Sequence, residues 1–191
     1  DRQIVSILLG DLKAEFDLND TQLGLLSGLA FALFYSTMAL PIARLADKSN
    51  RVNIIAGAVA LWSLVTALCG AVQNFWQLFL GRVGVGIGEA GGLSPAHSVL
   101  SDYFDENERA LALSLYSIGI GVGAFMGLAL GGYVAQEYGW RMAFIVAGLP
   151  GLALALLVWL TVKEPPRGQM ETNATQHART PVMQILTDLA G

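Results

Sequence analysis

Residues 21–43, 52–81, 110–136 and 142–162 contain no Asp, Glu, Lys or Arg. A helix needs roughly 20 mostly apolar residues to cross a bilayer, so each run is long enough to span. Residues 4–9 read as the tail of another apolar helix, cut short and followed by an acid-rich polar connection at 11–20. Gln73 and Asn74 break the second run, and Phe75 and Trp76 restart it with aromatics suited to a membrane interface. The pattern predicts six spans: a truncated first helix, then helices over about 21–44, 52–72, 75–101, 110–136 and 142–162. The expected fold class is an all-α membrane protein, a six-helix transmembrane bundle whose first helix is truncated.

Composition strengthens that reading. The 191 residues are 54% hydrophobic and 14% charged, against about 25% charged in an average soluble domain. A net charge of −4 with dispersed basic residues offers no stripe for tracking phosphates, so nucleic acid is not expected as a partner. Cys69, the single cysteine, lies in an apolar run and reads as a packing residue. His97 and His177 are too far apart to build a metal site, and no cofactor is implied. The chain opens at Asp1 with neither an initiator Met nor a signal-peptide layout, so it is expected to be a piece of a longer chain.

Short connections make neighbouring spans antiparallel, and basic residues then set orientation. If the first span exits the cytoplasm, the inner loops hold Arg44, Lys48, Arg51, Arg109, Lys163 and Arg167, against Lys13 and Arg141 outside. A multi-pass protein of a bacterial inner or plasma membrane is expected. After Lys163 the composition turns to Glu164-Pro165-Pro166-Arg167-Gly168 and a polar stretch, which divides the chain into a bundle, 1–163, and a cytoplasmic linker, 164–191. Within the linker, Thr180 and Pro181 are suited to start a short amphipathic helix carrying Val182, Ile185, Leu186 and Leu189 on one face.

Gly119, Gly123, Gly127 and Gly131 recur every four residues along the fifth span, and Gly84, Gly88 and Gly92 along the fourth. Rows of small residues let membrane helices approach closely, so helix packing is the expected role of both. Residues 86–91 fit the G-x-G-x-x-G dinucleotide pattern literally, but that fingerprint needs a strand before it, and here it lies inside a span.

Arg82 and Glu89 interrupt the fourth span. A charge there costs roughly 3 kcal/mol on insertion scales and usually faces a bundle interior or a wet cavity. Seven residues return to within about 20° on a helix, so both side chains share a face, about 10 Å apart along the axis. Asp1 and Arg2 lie at a comparable depth and are the expected partners, giving two acids and two bases at mid-membrane. In that setting Glu89 is a candidate for proton exchange as its distance to a guanidinium changes. His97, about 80° round the helix from Glu89, reads as a packing histidine.

Residues 43–51, Ala-Arg-Leu-Ala-Asp-Lys-Ser-Asn-Arg, resemble the signature loop G-x-x-x-D-R/K-x-G-R/K of the major facilitator superfamily. Asp47, Lys48 and Arg51 agree, while Ala43 and Asn50 replace glycines. The resemblance implies the amino-terminal half of a twelve-helix transporter, with a second six-helix half as partner. It also implies a gate latch: Asp47 and Lys48 at the interface with that half, and Arg51 paired with an acid below the fourth span, for which Asp102 is the candidate. Residues 127–132 resemble the antiporter motif of the fifth span, with Leu128 where that motif has proline, which points to export by antiport. Asp1-Arg2-Gln3-Ile4 together with Gly81-Arg82-x-x-x-Gly86-x-Gly88-Glu89-Ala90 is similar to the Spinster-like branch. That similarity implies an amphiphilic lysolipid or small-molecule substrate, proton coupling through acids such as Asp1 and Glu89, and membrane lipid as surroundings.

The expected function is therefore a secondary active transporter, proton-coupled and working by alternating access, and not an enzyme. Two other readings stay open. A non-transporting membrane scaffold would account for the glycine rows but not the buried charges. An intramembrane enzyme would need more than Ser94, His97 and Ser98, which have no orienting acid in the sequence.

Overall fold

The structure, a computed structural model, describes residues 3–170. All of its regular elements are helical: α1 (Ile4–Phe16), α2 (Asp20–Gly24), a π turn (Leu25–Leu29), α3 (Ala30–Ala46), α4 (Arg51–Cys69), α5 (Phe75–Ala90), α6 (Leu93–Tyr103), α7 (Glu106–Tyr138) and α8 (Trp140–Thr161). Six membrane helices result, because α2, the π turn and α3 form one continuous helix, Asp20–Ala46, and α5 with α6 form the fourth span. Asp20–Ala46, Arg51–Cys69, Glu106–Tyr138 and Trp140–Thr161 are each long and apolar enough to cross a membrane. Asp1, Arg2 and the expected amphipathic helix around Thr180–Leu189 lie outside the described residues.

Two span boundaries differ from the sequence expectation. The first helix does not stop before Asp11 but continues to Phe16. Leu8 and Leu12 prolong its apolar face into the core, both fully buried, while Asp11 and Glu15 point to solvent. It ends at Asp17, whose N–H still donates to the Lys13 carbonyl and whose left-handed backbone (φ 49°) brings the Leu18 N–H onto the same carbonyl at 3.2 Å, a conformation that Asp tolerates better than most residues. Directly after it, Asn19 and Gln22 form a reciprocal capping box that starts α2.

The fourth span is broken rather than continuous. Two adjacent glycines separate α5 from α6, and the N–H groups of Gly91 and Gly92 donate to the Gly88 and Glu89 carbonyls in tightened turns. Pro95, which has no N–H, sits in the first turn of the new helix.

The core gathers Ile4, Val5, Leu8, Leu12, Leu26, Cys69, Phe75, Leu78, Trp140 and Phe144 toward the end where α1 and α7 finish and α5 and α8 begin. Phe16 meets Trp140 edge to face at 5.7 Å, and Arg141 stacks over Trp140 at 4.2 Å while its Nη2 donates to Glu15 at 2.9 Å. That guanidinium, hydrogen-bonded to a carboxyl beyond the polar exit at Asp11, holds Glu15 below its ordinary range.

The two glycine rows separate in the structure. A Cβ on Gly88 would approach Trp62 at 2.9 Å and one on Gly84 would touch Val65 at 3.1 Å, while Gly92 lies under the Trp62 ring. That row does pack α5 against α4, and Gly86 in turn brings α5 against the α3 backbone at Phe31. On α7 one of the four positions is packed among the described residues. Gly131 meets Ile4 and Ile7, but a Cβ on Gly119, Gly123 or Gly127 would have nothing within 4 Å among the described residues. The reason is that α7 stands at the margin of the bundle, with none of its apolar window buried. The tightest approach instead joins α4 and α8, where Gly148 and Gly151 press on the backbone and side chain of Ser63 and on Ala67, an interface no spaced motif announced.

Candidate functional site

Arg82 and Glu89 both lie on α5, which starts at the Asn74 cap, where the Asn side chain accepts from the Gln77 N–H. Arg82 is only 3% exposed; Glu89 is half-buried. The Arg82 guanidinium stands over the Phe31 ring at 5.4 Å, and its Nε donates to the Leu26 carbonyl at 3.4 Å. Cation–π contacts of this kind strengthen when water is excluded. Both residues have further interactions. Phe31 stacks on Tyr35 with ring centroids 5.5 Å apart. Nearer the other end of the bundle, His97 meets Tyr116 edge to face at 5.4 Å. His97 is exposed, so the expectation of a packed histidine gives way to a ring at the surface of this bundle.

At the end of the bundle bearing the 47–50 turn, ionic contacts replace aromatic ones. Asn50 caps α4 by accepting from the Asn53 N–H at 2.8 Å, which places Arg51 at the first helical position. Arg51, 2% exposed, forms a buried ion pair with Asp102 of α6, donates to Ser98 Oγ at 2.8 Å, and pairs through Nε with Glu164 Oε1 at 2.6 Å. Its Nη2 donates to the Pro165 carbonyl at 3.0 Å. The Arg51–Asp102 contact is the one named from the sequence. Asp47 and Lys48 are exposed at the turn.

The sequence reading missed the third party. Residues 164–168 do not leave the bundle as a free linker but lie across this end as a strap. Glu164 Oε2 accepts from the Val52 N–H at 3.0 Å, at the positive end of α4. Arg167 donates to the carbonyls of Ala46, Asp47 and Ser49, which close α3. Gly168, with a left-handed φ of 68°, donates its N–H to Asp102 Oδ1 at 2.9 Å. The Tyr103 hydroxyl adds a bond to the Lys163 carbonyl at 2.6 Å. The available signal was the pair of opposite charges flanking Pro165-Pro166, immediately after a span whose exit must sit beside the 47–50 turn. Ser98, considered above as part of a catalytic group, is instead engaged by Arg51.

The sequence model of the Major Facilitator Superfamily matches residues 1–190. An MFS-type efflux pump of Mycolicibacterium smegmatis is 39% identical over 162 residues, covering 85% of this chain and 38% of that protein. A sphingosine-1-phosphate transporter of Danio rerio is 33% identical over 176 residues, covering 90% of this chain and 34% of that protein. A bacterial homolog to the human lysosomal transporter Spinster, solved in an inward-facing and occupied conformation, superposes with a TM-score of 0.77 at 39% identity, covering 89% of this chain and 42% of that one. The chain thus spans between a third and a half of the length of these relatives.

Proposed function

Since this chain belongs to the major facilitator superfamily of transporters, in its Spinster-like branch, we propose that it serves as the amino-terminal half of a proton-coupled secondary transporter. The transported molecule is an amphiphilic, lipid-like or small organic compound, moved by alternating access against a second six-helix half. The observation that carries this reading is Arg82, 3% exposed inside a membrane bundle and on the same helix as Glu89. A guanidinium held at that depth costs several kcal/mol, and a charge retained at such a cost marks a functional site. In the proposed cycle, Glu89 with Asp1 takes up and releases the proton, while Arg82 and Arg2 hold the anionic partner, whether a carboxylate or the head of the substrate.

The other proposed roles follow the geometry. Asp47 and Lys48, exposed at the turn, face the second half as the gate, backed by the Arg51–Asp102 pair. The open Gly119, Gly123 and Gly127 on α7 receive a helix of that half. The Arg51 end and the residues after Lys163 are placed in the cytoplasm by the excess of basic residues, in a bacterial inner or plasma membrane.

The test is transport by the complete chain in proteoliposomes under an imposed pH gradient, with fluorescent lysophospholipids as probes. Wild type is expected to accumulate or expel a probe with the gradient; Glu89→Gln is expected to lose gradient dependence and Arg82→Ala to lose transport. Gradient-driven transport that survives in both variants refutes the coupling assignment.

A further inference from the structure

The second membrane helix changes its winding directly opposite Arg82. Between α2 and α3 the π turn Leu25–Leu29 is closed by the Ala30 N–H donating to the Leu25 carbonyl. In a regular α-helix that N–H would serve Leu26, four residues back. The π turn therefore releases the Leu26 carbonyl from its usual partner, and it is this carbonyl that accepts from Arg82 Nε at 3.4 Å. Single π turns inside α-helices are rare and concentrate at functional sites.

The turn is held on two sides. The Leu26 side chain is fully buried, in the core cluster with Ile4, Val5 and Leu8 of α1 and Leu78 of α5. Just beyond the turn, Phe31 places its ring under the guanidinium at 5.4 Å. One helical turn past Arg82, a Cβ on Gly86 would lie 2.8 Å from the Phe31 carbonyl, so α5 and α3 touch backbone to backbone there. The guanidinium is thus bracketed by a carbonyl and a ring from the same stretch of the second helix.

We propose that the π turn Leu25–Leu29 is a positioning element for Arg82: it frees the Leu26 carbonyl to orient the guanidinium and seats the Phe31 ring against it. Both groups are neutral, so they fix the direction of the side chain without cancelling its charge. The positioning role rests on the proton-coupled cycle proposed above, in which Arg82 holds an anionic group. Leu26 and Phe31 act through Arg82 rather than on a transported molecule.

The test uses the complete transporter in lipid nanodiscs. Replacing Ser27 with its α-hydroxy acid turns the Leu26 carbonyl into an ester carbonyl, a poor acceptor, with every side chain kept. The readout is hydrogen exchange of the Arg82 Nε–H by nitrogen-15 NMR, the signal being assigned by its loss in Arg82→Lys. Loss of a hydrogen bond to a charged group is expected to speed exchange about tenfold. The same ester at Leu61, exposed on α4, serves as the control. An unchanged rate in the Ser27 ester, or an equal change in the control, overturns the proposal. Deleting Ser27, which removes the extra residue of the π turn, is expected to give the same acceleration. Transport of a fluorescent lysophospholipid by the ester variant is read separately: faster exchange with unchanged transport leaves the positioning role standing and counts against the part assigned to Arg82 in the cycle.

Discussion

Two carboxylates share one buried guanidinium at the Arg51 end, and that arrangement predicts a specific failure of additivity. Arg51 is 2% exposed and Asp102 7%; Glu164, also paired with Arg51, is less buried. In Asp102→Asn the guanidinium keeps Glu164 at 2.6 Å, Ser98 and the Pro165 carbonyl. In Glu164→Gln it keeps Asp102. Each single change turns a charge-assisted hydrogen bond into a neutral one while one counter-ion remains, and is expected to cost about 1 kcal/mol. The double variant leaves a buried positive charge with no counter-ion, the situation in which breaking a buried pair costs about 3–5 kcal/mol on its own. The double loss is therefore expected to exceed the sum of the singles by about 1–3 kcal/mol. Equilibrium unfolding of the complete chain in mixed micelles, with wild type and all three variants side by side, measures this coupling. A double variant no less stable than the sum of the singles predicts refutes the shared-counter-ion account.

Three further predictions test the packing, the capping and the far end. Gly148→Ala is expected to destabilise by about 1–3 kcal/mol through overpacking, because the new Cβ would lie 2.5 Å from the Ser63 carbonyl; Gly57→Ala on α4, in open space, is expected to be neutral or to gain up to about 1 kcal/mol from helix propensity. Asp105 accepts from the N–H groups of Asn107 and Glu108, so Asp105→Ala should cost about 1 kcal/mol in the same unfolding assay. Glu15, held low by Arg141, should titrate by NMR below an ordinary carboxyl and return to the usual range in Arg141→Met. Because its folded pKa is depressed, any stability it adds is present above the unfolded value and fades as pH falls through the folded one.

The spans were legible because charge-free length is enforced by the bilayer and needs no knowledge of neighbours. What depended on neighbours was not. The two glycine rows have the same spacing, yet Gly88 meets Trp62 and Gly123 meets nothing; periodicity says that a helix has a smooth side, not which helix comes to it. The break of the fourth span had a local signal, Gly91-Gly92 followed by Pro95, outweighed by the surrounding apolar run. In α1 the acids at 11 and 15 read locally as the end of a helix, although Leu8, Leu12 and Phe16 keep an apolar face at four-residue spacing. Arg51 and Asp102 were found by resemblance to a family loop. Glu164 and Arg167 were not, because their partners lie more than 110 residues back in the chain and nothing local distinguishes a strap from a linker.

The strap changes what this bundle does as a mechanical object. Arg51, Glu164 and Arg167 tie α3, α4, α6 and the exit of α8 at one end, while Trp140, Phe16 and the Glu15–Arg141 pair tie α1 to α8 at the other. A bundle stitched at both ends resists internal shear, so motion in a transport cycle should fall on its most open face, and that face is the apolar stretch of α7, none of which is buried. Cysteines placed at Gly123, in open space, and at Ala143, fully buried beside Trp140, separate the alternatives in the complete transporter. With a rigid half, the maleimide labelling rate at position 123 changes between pH-gradient conditions while position 143 stays protected throughout. Matched changes at both positions would mean that the stitches open during the cycle and that the half does not move as one body.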